Sequence, residues 1–405
     1  QQRHRLDRRE FDAAIGRVGW IEPLNGLFGT DAGGAQPVRR NTLADQPPAH
    51  RIGARTRQSE IGNLETAVQA TSIRIKVTGK AASSPKPESR TMSFLPNSPH
   101  ARDIASFIHS QTDLKRHQEI GPTIITRGDG VYVFDDAGNR YIEGVAGLWC
   151  ASLGFSVERL AKVAHDQMLA LGFYHTYRHN SNVPSIDLAE KLLEIAPVPM
   201  SKVLFQCSGS EANDTAIKLV WYYHNAIGKP EKCKIIGRLG GYHGSTAAAV
   251  SLSGKPDMHR DFNLPFAAFR HTDFPHYYRC HEDGESELDY ATRLADNLEA
   301  LIVAEGPETV AAFFAEPAMG AGGAIVPPKS YFEKIQKVLR KYDVLLIADE
   351  VICGFGRTGK MWGSQTFGLE PDMISCAKAL SAGFQPISAL LVNEKIYQAM
   401  VGQSE

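Results

Sequence analysis

The residues best equipped for chemistry lie close together late in the chain, in Val344–Gly359 (VLLIADEVICGFGRTG) and in PDMISCAKAL, which delivers Lys378. VLLIA is a run of β-branched and aliphatic residues, the pattern of a strand buried on both faces. Such a strand would hold Asp349 and Glu350 at its carboxyl end, where open α/β sheets place their ligands. Lys378 stands among small and apolar residues, Ser375, Cys376, Ala377, Ala379 and Leu380, a setting whose desolvation favours a neutral, nucleophilic amine. An acid at a strand end with such an amine beside it points to Schiff-base chemistry. Taken singly, each residue also has an ordinary reading, the acid as a helix cap and the lysine as a solvated cation.

Two earlier segments add to this pair. In KVLFQCSGSEAN a short apolar strand runs into Ser208, Gly209 and Ser210, and EANDTAIKLVWYYHNA follows with apolar residues at helical spacing. A Ser-Gly-Ser turn at a helix amino terminus offers free N–H groups, hydroxyls and the positive end of the helix dipole, which suits a phosphate. Alone, it reads equally well as a plain N-cap. In KIIGRLGGYHGST a strand opens into a glycine-rich turn carrying Tyr242 and His243. There glycine permits close backbone approach and the aromatic can stack on a flat ring.

The order SGSEAN, GGYHGST, AEPAMGAGG, ADEVICGFGRTG and then a lysine after PDMIS resembles the class III aminotransferases, which depend on pyridoxal 5′-phosphate (PLP). The resemblance begins near Ser93 and runs to the end of the chain. It implies the fold type I PLP-dependent transferase fold. Lys378 then matches the lysine that forms the Schiff base and shuttles the proton, and Asp349 the carboxylate that pairs with the pyridinium nitrogen. Tyr242, with His243 beside it, matches the aromatic stacked on one ring face, and Val351 the residue packed on the other. Ser208, Gly209 and Ser210 match the phosphate cup, and Glu316 a glutamate near the cofactor hydroxyl. In GVAGLWCASLG, Leu148 and Trp149 resemble a segment of the amine and ω-amino-acid:pyruvate subgroup whose tryptophan lines the substrate pocket. Tyr177, in FYHTYRHN, matches an aromatic pocket position of that subgroup, although both aromatics read as core residues on composition alone.

The implied activity is transamination from a primary amine or ω-amino acid to pyruvate or a similar keto acid, in a homodimer. The same lysine and aspartate also serve PLP mutases, decarboxylases and racemases, so those reactions stay open. At the carboxyl end the pattern departs from the family: the chain stops 405 − 378 = 27 residues after Lys378. The family's next threonine motif and its arginine-bearing small domain do not follow. The expectation is therefore a truncated chain lacking the carboxyl-terminal small domain, and a non-catalytic PLP-fold fragment is the alternative to an active enzyme.

Composition fits a sizeable enzyme. The chain has 405 residues, is 43% hydrophobic and carries a formal net charge of −1, which argues against general nucleic-acid or membrane-surface binding. Six well-separated cysteines without a C-x-x-C pair read as thiols of a reducing compartment, the cytoplasm. Fourteen histidines without H-E-x-x-H or a comparable spacing predict no metal site.

Organisation changes near residue 91. Residues 1–91 are Arg-rich and broken by GTDAGGAQP, ADQPPAH and AASSPKPESR, and read as a low-order extension, with translated upstream sequence as one expectation. Residues 92–160 read as the amino-terminal segment of a small domain, with antiparallel strands joined by turns at GDG and DAGN. Residues 161–405 read as the PLP-binding large domain, an α/β unit with strands expected at 202–207, 234–239, 311–316, 344–349, 373–376 and 388–392. Alternation of these with helices implies a mostly parallel sheet flanked by helices.

Overall fold

A seven-stranded sheet runs in the order β5-β11-β10-β9-β8-β6-β7 through the computed structural model, which describes residues 74–76 and 94–403. Its strands are β5 (Lys202–Gln206), β6 (Lys234–Arg238), β7 (Phe269–Thr272), β8 (Val310–Ala315), β9 (Leu345–Asp349), β10 (Met373–Cys376) and β11 (Ser388–Val392). Neighbours from β10 through β7 pair parallel, while β11 is antiparallel to both β10 and β5. Six of the seven stand where the sequence predicts strands. The seventh, β7, is a four-residue edge strand, FRHT, buried only at its ends, too short and too polar to give a period-two signal.

Period-two alternation assigns the side chains of the central strands to two cores. Val344, Leu346 and Ala348 join the core that contains Leu294, Leu298, Ile302, Ile335 and Leu339, from helices Glu287–Glu305 and Tyr331–Lys341. Leu345 and Ile347 join the opposite core, with Ala216, Ile217 and Val220 from helix Gly209–Ala226. Every residue of β8 and β9 is buried, which explains why these strands read as unbroken apolar runs.

The flanking helices follow their own period. Tyr331–Lys341 buries Tyr331, Phe332, Ile335, Val338 and Leu339, one helical stripe, and pairs Glu333 with Lys337 on the outer side at 2.7 Å. Glu287–Glu305 is capped by the Ser286 hydroxyl, which accepts from the Asp289 N–H, and ends at Gly306, whose positive φ of 88° suits glycine.

A second, antiparallel sheet has the order β1-β4-β3-β2: β1 (Arg74–Lys76), β2 (Ile125–Asp129), β3 (Tyr132–Asp135) and β4 (Arg140–Glu143). Its turns fall at the predicted GDG and DAGN. Asp135 closes the latter, with Oδ1 accepting from the Ala137 and Asn139 N–H groups at 3.0 and 2.8 Å. Apart from β1, the residues of the 1–91 extension lie outside the described residues.

Candidate active site

Asp349 ends β9 on the face covered by helix Gly209–Ala226, because its parity is that of Leu345 and Ile347. It is 3% exposed, and a buried carboxylate must be saturated with donors. The Asn213 Nδ2 donates to Oδ2 at 2.9 Å, His243 Nδ1 sits 2.7 Å from the same oxygen, and the Val351 N–H donates to Oδ1 at 3.1 Å. Glu350, one residue on, turns to the other side and accepts from the Gly363 N–H, the Ser364 N–H and the Ser364 hydroxyl. Burial raises its pKa despite these donors. Two adjacent acids are thus separated by the pleat into one facing the site and one supporting the loop beyond it.

Lys378 follows β10, the strand paired parallel to β9. Its φ of 44° is left-handed, an expensive conformation for a side-chain-bearing residue and one that recurs at functional positions. The Ser381 and Gly383 N–H groups hold its carbonyl, each at 3.3 Å.

At the amino end of helix Gly209–Ala226, the Ser208 hydroxyl accepts from the Glu211 N–H at 3.2 Å, and Glu211 Oε2 accepts in return from the Cys207 N–H at 2.9 Å. This reciprocal cap leaves the N–H groups of Gly209 and Ser210 without an acceptor among the described residues. The Ser210 hydroxyl is fixed by the Ser245 N–H at 3.0 Å. Facing this turn, the Tyr242 N–H donates to Glu316 Oε1 and the Gly320 N–H to Glu316 Oε2, both at 3.1 Å. Burial raises the pKa of Glu316, and burial with the Asp349 charge raises that of the Tyr242 phenol.

One cavity of about 490 Å³ collects these groups. Ser208, Gly209, Ser210, Tyr242, His243, Glu316, Asp349, Val351 and Lys378 all line it, drawn from five separate stretches of sequence to the carboxyl ends of the parallel strands. Residues 114–404 match the family described as aminotransferase class-III. The chain belongs to that family.

Among its relatives, γ-aminobutyrate transaminase 3, chloroplastic, from Solanum lycopersicum is 52% identical over 287 residues, 71% of this chain and 55% of the relative. Vanillin aminotransferase from Capsicum chinense is also 52% identical over 287 residues, covering 71% of this chain and 62% of its own length. The chain therefore spans a little over half the length of these curated relatives. Among solved structures, the ω-transaminase from Pseudomonas jessenii in complex with PMP is 58% identical and superposes with a TM-score of 0.75 over 76% of this chain and 68% of that one.

Class-III aminotransferases use PLP, and the cavity of this member suits it. Two unclaimed N–H donors at a helix amino terminus meet the needs of a phosphate, and a buried carboxylate whose Oδ1 accepts only from the Val351 N–H keeps a lone pair for a ring N–H. Gly209 lets the turn approach Val351 closely: a Cβ there would lie 2.9 Å from Val351 Cγ2 and 3.0 Å from Cγ1.

The substrate-side residues sit differently. Leu148 is 63% exposed, Tyr177 is 79% exposed and Trp149 is half-buried, and none of the three lines the cavity. Cys150, their neighbour, does. Ala146, Gly147, Leu148 and Trp149 all have φ between 51° and 63°, a full left-handed turn costing roughly 1–2 kcal/mol at each side-chain-bearing residue. The Trp149 carbonyl accepts from Arg357 Nη2 at 3.2 Å, joining this turn to the FGRTG segment. Asn213 carries no motif in the sequence that marks its contact with Asp349. An asparagine inside a helix is a weak helix former, and that mismatch was the available signal.

Among the described residues no helix is long and apolar enough to cross a membrane, and all six cysteines are free thiols.

Proposed function

We propose that this class-III aminotransferase moves an amino group from a primary amine or ω-amino acid to pyruvate or a similar keto acid, using PLP held through Lys378. The observation that carries this reading is the convergence of Lys378, Asp349 and the Ser208–Ser210 turn on one cavity. Bound there, PLP supplies a ring that takes up the electron pair left when the substrate carbon loses its proton. The Gly209 and Ser210 N–H groups and the Ser208 and Ser210 hydroxyls would hold the phosphate, and Tyr242 and Val351 would flank the ring. Asp349 would keep the ring nitrogen protonated, with Asn213 and His243 fixing its carboxylate. The Lys378 Nζ would remove the proton from the amine-bearing carbon and return one in the second half-reaction. Alternate binding of amine and keto acid at one site predicts ping-pong kinetics.

γ-Aminobutyrate, in the name of one relative, is an ω-amino acid, and the structural neighbour is an ω-transaminase, which supports an amine on a terminal carbon. The proposal includes a homodimer, supported by the apolar side chains Met168, Leu169 and Phe173, which stand 62%, 77% and 82% exposed. A reducing compartment such as the cytoplasm fits the six free thiols.

The test is to incubate the chain with PLP, reduce with borohydride and map the cofactor mass by peptide sequencing, then to assay an amine with pyruvate for alanine. Mass on the Lys378 peptide and pyruvate-dependent alanine are expected. Mass elsewhere refutes the lysine assignment. Fixation at Lys378 without alanine refutes the acceptor.

A further inference from the structure

The two short helices between β1 and β2 of the small sheet bury almost nothing. Pro99–Ser106 has no buried residue, and Leu114–Ile120 buries only His117. Little apolar area is available to hold them together, yet their polar side chains converge. Asp103 comes from the first helix, His109 from the connection and His117 from the second helix. His117 Nε2 lies 2.9 Å from Asp103 Oδ1, and His109 Nε2 lies 3.0 Å from both Asp103 oxygens. One ligand atom from each residue falls within 4.8 Å of the others. The imidazole side chain of His117 is 10% exposed and that of His109 is 29% exposed, so solvent reaches the cluster from the His109 side.

We propose that Asp103, His109 and His117 bind a divalent transition-metal ion, zinc on the chemistry of the donors, which fastens the two helices to each other. Two imidazole nitrogens and a carboxylate oxygen are the protein share of a four-coordinate zinc site, with water completing it. Metal–ligand bonds of about 2.0–2.1 Å in a tetrahedron put donor atoms about 3.3 Å apart, so the two carboxylate–imidazole separations need open by only a few tenths of an ångström, while the two imidazole donors already lie within 4.8 Å of each other. A hydrogen-bonded clasp makes a stricter demand: both imidazoles must carry their proton on Nε2 and point it at one carboxylate. With a cation, both Nε2 atoms are bare and the carboxylate charge is neutralised. None of the three residues lines the catalytic cavity, so the site is independent of transamination. The spacings, 109 − 103 = 6 and 117 − 109 = 8 residues, match no short metal motif, and the expectation of no metal site overlooked them for that reason.

The full chain, stripped by chelator dialysis and free of PLP, is titrated with Zn²⁺ by calorimetry, beside His109→Ala, Asp103→Asn and the triple variant. One equivalent should bind the wild type, with affinity at least about tenfold weaker in each single variant and that equivalent lost in the triple. Zn²⁺ should raise the melting temperature of the wild type alone, by preferential binding to the folded state. His109→Ala removes the most exposed ligand and disturbs packing least. If no variant folds, X-ray absorption of the zinc-loaded wild type decides, with two imidazoles and a carboxylate expected. Equal uptake by the wild type and the triple variant, or no stoichiometric uptake by the wild type, overturns the proposal.

Discussion

Asp349 shows how a single carboxylate is kept usable in a dry interior. Its Oδ2 oxygen is shared by Asn213 and His243, and a hydrogen bond to a charged group contributes about 1.5–3 kcal/mol. Replacing His243 with Phe should slow the amine half-reaction at least tenfold in single-turnover experiments. His243→Asn, which puts an amide donor near the position of Nδ1, should recover much of the loss. Equal rates in both variants would mean that the imidazole acts through something other than Asp349. The cavity positions of Asp349 and Lys378 were legible because the one ends and the other closely follows a buried, largely apolar strand. Asn213 was not, since its contact with Asp349 spans 136 residues and no local pattern encodes that distance. Trp149 and Tyr177 show the converse, as aromatic residue type alone cannot tell a core position from a rim.

The turns joining the elements matter as much as the elements. Gly244 has φ 142°, and a Cβ there would meet Ser210 Oγ at 2.6 Å and Ser210 Cα at 2.8 Å. Gly244→Ala should therefore cost roughly 1–3 kcal/mol of stability, read from denaturant midpoints, and weaken PLP binding by displacing Ser210. Glycine-rich sequence announced this turn, but only the fold shows which helix it presses on. At the end of helix Glu287–Glu305, Glu305 pairs with Arg270 of β7 at 2.5 Å and with Lys234 of β6 at 2.9 Å. These partners, Arg270 first, lower its pKa from 4.5 to about 2. A depressed acid stabilises the fold above its unfolded value, so this contribution is intact above pH 4.5 and fades as pH falls towards 2. Urea midpoints across that window should fall more steeply for wild type than for Glu305→Gln, which starts lower at neutral pH. Parallel slopes would remove Glu305 from the account of acid sensitivity.

Across the whole molecule, the apolar pattern of the large sheet was readable in advance, and the pairing order was not. Helix Glu158–Leu171 buries none of its residues in the single chain, and the proposed homodimer gives its apolar side chains a partner. Sedimentation should find a dimer that Met168→Glu with Leu169→Glu shifts to monomer, with helical content unchanged. A monomeric wild type would leave that face to another occupant.

Strand β11 enters between β5 and β10 against the direction of the other neighbours. Through it, Ser388 donates its hydroxyl to the Ser208 carbonyl at 2.7 Å, across 180 residues of chain. The turn proposed to hold the phosphate is therefore braced by a strand synthesised 180 residues after it. At roughly 5–20 residues per second, the ribosome needs about 9–36 s to deliver that brace, and until then β5 is an edge without a neighbour. Loop closure over such a separation also makes this pairing slow. Strand β5 and the turn after it thus wait for their neighbour while the intervening chain is made, an interval in which a chaperone has an unpaired strand to guard.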